Sequence, residues 1–169
     1  MRQRTTYLTT TAILATVVCV TTAYLLHIPF GANGAYIHLG DTFIYLAAAL
    51  LPKPYAMTVG ALGSAMADLL TAPIWAPGTM IIKAALVLPF PKAHGKMIQR
   101  KTYFSLLIAA LITMAGYAVY ERILFGTWAG AVLSLVSSLV QSIASAALFI
   151  TIGFTLDRIH FLQKTNKAS

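Results

Sequence analysis

Three of the four acidic residues of this chain, Asp41, Asp68 and Glu121, and one lysine, Lys83, lie within or at the ends of strongly apolar stretches. Placing such a group in hydrocarbon costs about 2.5–3.5 kcal/mol on insertion scales, so each is expected to face a cavity or an opposite charge. Flat rings and an amide accompany them: Asn33, Tyr36, His38, Trp75, Tyr117 and Trp128. Carboxylates accept hydrogen bonds from hydroxyl, amino or ring N–H groups, and aromatic faces stack on a planar ring. The set therefore suits capture of a small heteroaromatic molecule, with Asn33, Tyr36, His38, Asp41, Asp68, Trp75, Lys83, Tyr117 and Glu121 as candidate contacts. The same residues also fit a second reading, in which Asp41 or Asp68 pairs with Lys83 purely to clamp helices together in a structural or assembly protein. Trp75 and Trp128 equally suit an interfacial aromatic belt. His27, His94 and His160 lie near apolar boundaries without metal-ligand spacing. Cys19, the single cysteine, leaves no disulfide within the chain and no cysteine cluster for a metal.

The elements that must position these groups follow from hydropathy. Of 169 residues, 59% are hydrophobic and 9% charged, with a mean hydropathy of +0.79, too apolar for a water-facing domain. The class is an all-α integral membrane protein of one domain, residues 1–169, without repeats or low-complexity tracts. The formal charge of +8 comes without the basic stripe and interleaved aromatics of a nucleic-acid binder. Proline and glycine divide the chain into six apolar segments: about 6–27, 39–51, 55–71, 79–90, 103–121 and 127–160. The first follows Arg2 and Arg4 as a signal peptide would, but it is long for one, lacks a clear cleavage site and is followed by further apolar segments. It reads as the first of six transmembrane helices. Two segments, the second and fourth, are short and bounded by Pro or Gly, which favours a cavity over close-packed full-length spans.

Orientation follows from the loops. With six spans, one side carries Arg2, Arg4, Lys53, Lys92, Lys96, Arg100, Lys101, Arg158, Lys164 and Lys167, and the other only Arg122. Both termini are thus expected in the cytoplasm, and the glycine-rich island from Gly31 to His38 outside. Asp41, Asp68, Glu121 and Lys83 then gather in the outer half beneath that island. Gly31 to Tyr36 is expected to act as a lid, since glycine tolerates hinge conformations. Ser134, Ser137, Ser138 and Gln141 recur at helical spacing in the sixth segment and are read as helix-packing residues. The first segment holds Thr11-x-x-x-Ala15 and Ala12-x-x-x-Thr16, small residues four apart that admit a partner helix, which makes Ala12, Ala15 and Thr16 candidate docking positions. No Gly-x-x-x-x-Gly-Lys-Ser/Thr, His-Glu-x-x-His or Gly-x-Ser-x-Gly motif occurs, so ATP hydrolysis by the phosphate-loop route and the common hydrolase chemistries are excluded from this chain. A concentrative transporter built on it needs an energised partner.

Several motifs in this order carry a family resemblance: the small-residue first segment, His38-Leu-Gly-Asp41, Leu51-Pro-Lys-Pro54, Gly60-Ala-Leu-Gly63 with Asp68-Leu, and Gly116-Tyr117-x-x-x-Glu121. Over nearly its whole length the chain resembles the substrate-binding S components of energy-coupling factor (ECF) vitamin transporters, most like the hydroxymethylpyrimidine or pyridoxine group. The resemblance implies a six-helix subunit of the prokaryotic plasma membrane that binds a vitamin at its outer side and topples to deliver it. It also implies a membrane coupling subunit (T component) and two cytoplasmic ATPases as partners. ATP and Mg would belong to those ATPases, with no cofactor in this chain. Riboflavin, thiamine or folate are the alternative substrates. The family's docking signature, Ala-x-x-x-Ala, reads Ala12-x-x-x-Thr16 here, which keeps the small face but shifts its chemistry.

Overall fold

Among the described residues, apolar runs and Pro/Gly breaks fold into six α-helices: α1 (Arg2–Ala23), α2 (Asp41–Leu50), α3 (Lys53–Thr71), α4 (Ala76–Ala85), α5 (Arg100–Phe125) and α6 (Trp128–Arg158). They come from a computed structural model that describes residues 2–25, 28–29, 36–91 and 96–159. Asn33 and the Gly31–Gly34 part of the expected lid lie outside the described residues. Prolines sit where a missing N–H is harmless. Pro54 lies in the first turn of α3, and Pro77 in that of α4 after the 3-10 turn Pro73–Trp75. Gly126 ends α5 at φ 69, the left-handed conformation of a helix C-terminus, with its N–H donating to the Arg122 carbonyl at 3.1 Å.

Helix length separates the elements. Gln3–Ala23 within α1, and α5 and α6 whole, are long and apolar enough to cross a membrane. The ten residues each of α2 and α4 extend only about 15 Å at 1.5 Å per residue, half of a hydrocarbon core. An antiparallel pair of two-residue strands, β1 (Ile28–Pro29) and β2 (Tyr36–Ile37), sets Ile28 opposite Ile37 and Pro29 opposite Tyr36. Nothing in the hydropathy signals these strands, because two residues are too few to show alternation.

The third helix is central, and its two glycines explain how. A Cβ on Gly60 would stand 2.5 Å from the Lys83 carbonyl oxygen of α4, and one on Gly63 would stand 2.7 Å from the Ala15 carbonyl oxygen of α1. Hydrogen at both positions lets α3 press against α1 on one side and α4 on the other. Away from the charged residues the interior is aromatic and aliphatic: Tyr45 stacks on Phe90 at 5.4 Å and meets Phe149 edge-on at 5.8 Å, among Val18, Val59 and Leu86. Outward, Ile81, Leu107, Ile123 and Ile143 are exposed, an apolar surface suited to lipid. Asp157, the fourth acid, accepts the backbone N–H groups of Met97 (2.7 Å) and Ile98 (2.9 Å), pinning the end of the basic loop to α6.

Candidate functional site

One end of the bundle gathers the N-terminal ends of α2 and α4, the C-terminal end of α3 and the facing halves of α5 and α6. A pocket of about 40 Å³ opens there, lined by Tyr36, His38, Asp68, Trp75, Thr79, Tyr117, Ser134, Ser137, Ser138 and Gln141.

Rings form one wall. The 3-10 turn delivers Trp75, which is buried against Tyr117 (6.1 Å), Tyr120 (5.9 Å) and Phe125 (6.0 Å) of α5. Tyr120 approaches closely because residue 78 is glycine: a Cβ there would lie 2.5 Å from the tyrosine ring. The Tyr120 hydroxyl then donates to the Ile74 carbonyl at 2.9 Å and locks the turn. The Tyr117 hydroxyl meets Thr79 Oγ1 at 3.0 Å.

At the mouth, β2 places Tyr36 so that its hydroxyl donates to Asp68 Oδ1 at the end of α3. Burial, reinforced by the Asp68 charge, pushes the Tyr36 pKa well above the usual phenol value, so the hydroxyl stays protonated. His38 stands 5.6 Å from Tyr36, ring to ring. Its Nδ1 accepts the Gly40 backbone N–H at 3.0 Å and has Thr22 Oγ1 at 3.4 Å, which assigns the proton of the neutral ring to Nε2.

The opposite wall is hydroxylic. From α6, Ser134 donates to Glu121 Oε2 at 3.3 Å, Ser137 donates to the Ser134 carbonyl, and Ser138 and Gln141 follow on the same face. Beneath lies an ion pair with no solvent exposure: Lys83 Nζ to Asp41 Oδ1 at 2.7 Å and Oδ2 at 2.8 Å. Gln141 Nε2 donates to the same carboxylate at 2.9 Å, and Lys83 lies 5.2 Å from the Tyr117 ring centre.

Of the nine residues expected as contacts, Tyr36, His38, Asp68, Trp75 and Tyr117 line the pocket. Asp41 and Lys83 do not line it but pair with each other and bond to its wall through Gln141, Glu121 stands behind Ser134, and Asn33 lies outside the described residues. Thr79 was not anticipated, and Ser134, Ser137, Ser138 and Gln141, expected as packing residues, line the pocket instead. A polar stripe along an apolar helix was the available signal; small hydroxyls serve helix packing and ligand contact alike. On α1 the expected docking positions divide: Ala12 and Thr16 are exposed, whereas Ala15 is half-buried with its carbonyl oxygen against Gly63 of α3. Among the described residues no three His, Cys, Asp or Glu side chains gather as a metal site.

A lipid-faced helical bundle with a pocket of rings and hydroxyls at one end has the architecture of a membrane-embedded solute-binding subunit. Over residues 2–158 the chain matches the family described as ECF-type riboflavin transporter, S component. It belongs to that family, and so is a substrate-specificity subunit of an ECF transporter: a membrane protein of transport, not an enzyme. The family implies a vitamin substrate, with coupling and ATPase subunits as partners. An uncharacterized protein in the gap 3' region of Pyrococcus woesei is 29% identical over 140 residues, covering 81% of this chain and 93% of that protein.

Proposed function

We propose that the chain captures a single-ring heteroaromatic vitamin or precursor, of the hydroxymethylpyrimidine or pyridoxine kind, at the extracellular face. The observation that carries this reading is the pocket itself. Aromatic residues Trp75, Tyr117, Tyr36 and His38 stand on one side, and serines with Gln141 on the other, a pairing that grips a flat ring and reads its edge. Asp68 supplies an acceptor at the mouth, and Glu121 supports the serine wall through Ser134. Six spans with cytoplasmic termini put this pocket outside, because the described loops at the other end carry Lys53, Lys96, Arg100, Lys101 and Arg158. In this reading Asn33 and the lid close over bound vitamin. The exposed Ala12 and Thr16 face meets a coupling subunit in the plasma membrane, and partner ATPases supply the energy.

Riboflavin is the second reading, favoured by the description of the matched family. Isothermal titration of purified protein with hydroxymethylpyrimidine, pyridoxine, thiamine, folate and riboflavin decides between them. One of the first two is expected to bind at one molecule per chain with a thermal upshift. Riboflavin binding alone replaces the single-ring reading, and no binding by any vitamin on the panel overturns the assignment to vitamin capture.

A further inference from the structure

Gln141 belongs both to the pocket wall and to the buried ion pair, and that double membership restricts what it can offer a ligand. Its side-chain nitrogen donates to Asp41 Oδ2 at 2.9 Å. The carboxylate is also held by Lys83 at 2.7 and 2.8 Å and accepts hydrogen bonds only, so the amide cannot reverse without facing oxygen to oxygen. The Gln141 carbonyl oxygen has no donor among the described residues, although the side chain is buried and lines the pocket. One turn earlier on the same face, the Ser138 hydroxyl also lines the pocket and has no hydrogen bond among the described residues. A hydroxyl can donate or accept.

We infer that Gln141, its amide oriented by the Lys83–Asp41 pair, is the specificity-determining residue of the site. The pair it forms with Ser138 selects a ring edge on which an exocyclic amino group adjoins a ring nitrogen. The amino group donates to Gln141 Oε1, and Ser138 donates to the ring nitrogen. This rests on the vitamin-capture reading and narrows it to an aminopyrimidine. Asp41 and Lys83 act as positioning residues, through Gln141 and without touching the ligand. A ligand with an acceptor in place of the amino group sets two acceptors together in a buried site, a mismatch that lowers affinity about tenfold or more.

The test titrates purified protein with 4-amino-5-hydroxymethyl-2-methylpyrimidine and with its 4-oxo analogue. Wild type is expected to bind the amino compound about tenfold or more tightly than the oxo compound, a ratio that needs no variant. Gln141→Leu, which leaves the ion pair in place, is expected to reduce that ratio to about twofold or less. The double variant Asp41→Asn/Lys83→Met, which frees the amide to turn, is expected to do the same. Equal affinities in wild type, or a ratio unchanged in both variants, overturns the assignment of Gln141 while vitamin capture stands. Binding of pyridoxine or riboflavin with neither pyrimidine bound overturns it on ring class. Binding of none removes the underlying reading as well.

Discussion

Removing one partner of the Lys83–Asp41 pair tests whether the pair is held as the geometry requires. At 2.7 Å the attraction is about 6 kcal/mol for an effective dielectric of 20. Desolvating two ions costs several kcal/mol each, so the intact pair contributes little net stability. Its removal by halves is another matter, because the surviving charge stays buried at zero exposure while the attraction is gone. Asp41→Asn strands Lys83, and Lys83→Met leaves Asp41 with Gln141 as its hydrogen-bond donor; each is expected to cost about 3–5 kcal/mol. For a chain of this length that corresponds to a fall in Tm of roughly 6–20 °C. The double variant Asp41→Asn/Lys83→Met removes both charges and is expected to melt within a few degrees of wild type. Intrinsic-fluorescence melts of the four proteins in one detergent give the cycle directly. Single variants within about 1 kcal/mol of wild type, or a double variant as unstable as the two singles added, would refute the ion-pair reasoning.

Gly63→Ala is expected to destabilise by about 1–3 kcal/mol, seen as a lower Tm, because the new methyl meets backbone oxygen and the Val18 Cβ rather than a side-chain tip that can swing away; an unchanged melt would mean that α1 and α3 do not approach as described. Ala12→Trp is expected to abolish co-purification with a coupling subunit while leaving vitamin titration intact, since Ala12 is exposed. Ala15→Trp is expected to lower Tm and titration together because Ala15 is half-buried with its carbonyl oxygen against α3. Identical behaviour of the two variants in both assays would contradict this division of the face.

Helix boundaries were legible where Pro52, Pro73 and Gly126 fall between helices and where Pro54 and Pro77 lie in the first turns of α3 and α4, positions set by simple steric reasons. The gathering of Tyr36, His38, Asp68, Trp75 and Tyr117 at one end was legible too, because depth along antiparallel helices can be counted from the turns. What could not be read was azimuth. Asp41 and Asp68 sit at similar expected depth, and only packing directs the first to Lys83 and the second to Tyr36. The serines of α6 failed for the reverse reason, since their face was plain but whether it met a helix or a cavity was not. Ala15 was grouped with Ala12 by size alone; only packing shows that its carbonyl oxygen meets Gly63 and that it is half-buried where Ala12 is exposed.

The two ten-residue helices explain why charges lie beneath the pocket at all. A helix of about 15 Å covers by itself only half of the hydrocarbon core. Asp41 lies in the first turn of α2 and Lys83 in the last turn of α4, each at the helix end whose partial charge it complements. The bond between them therefore ties the start of α2 to the end of α4. Gly60 admits the Lys83 carbonyl from the α3 side, and Gln141 reaches the carboxylate from α6, so four helices are fixed at one point. A pocket wall anchored there changes shape only if that junction changes with it. This makes Gln141, the pocket residue bonded to the junction, the route by which ligand contact is tied to the packing of the bundle.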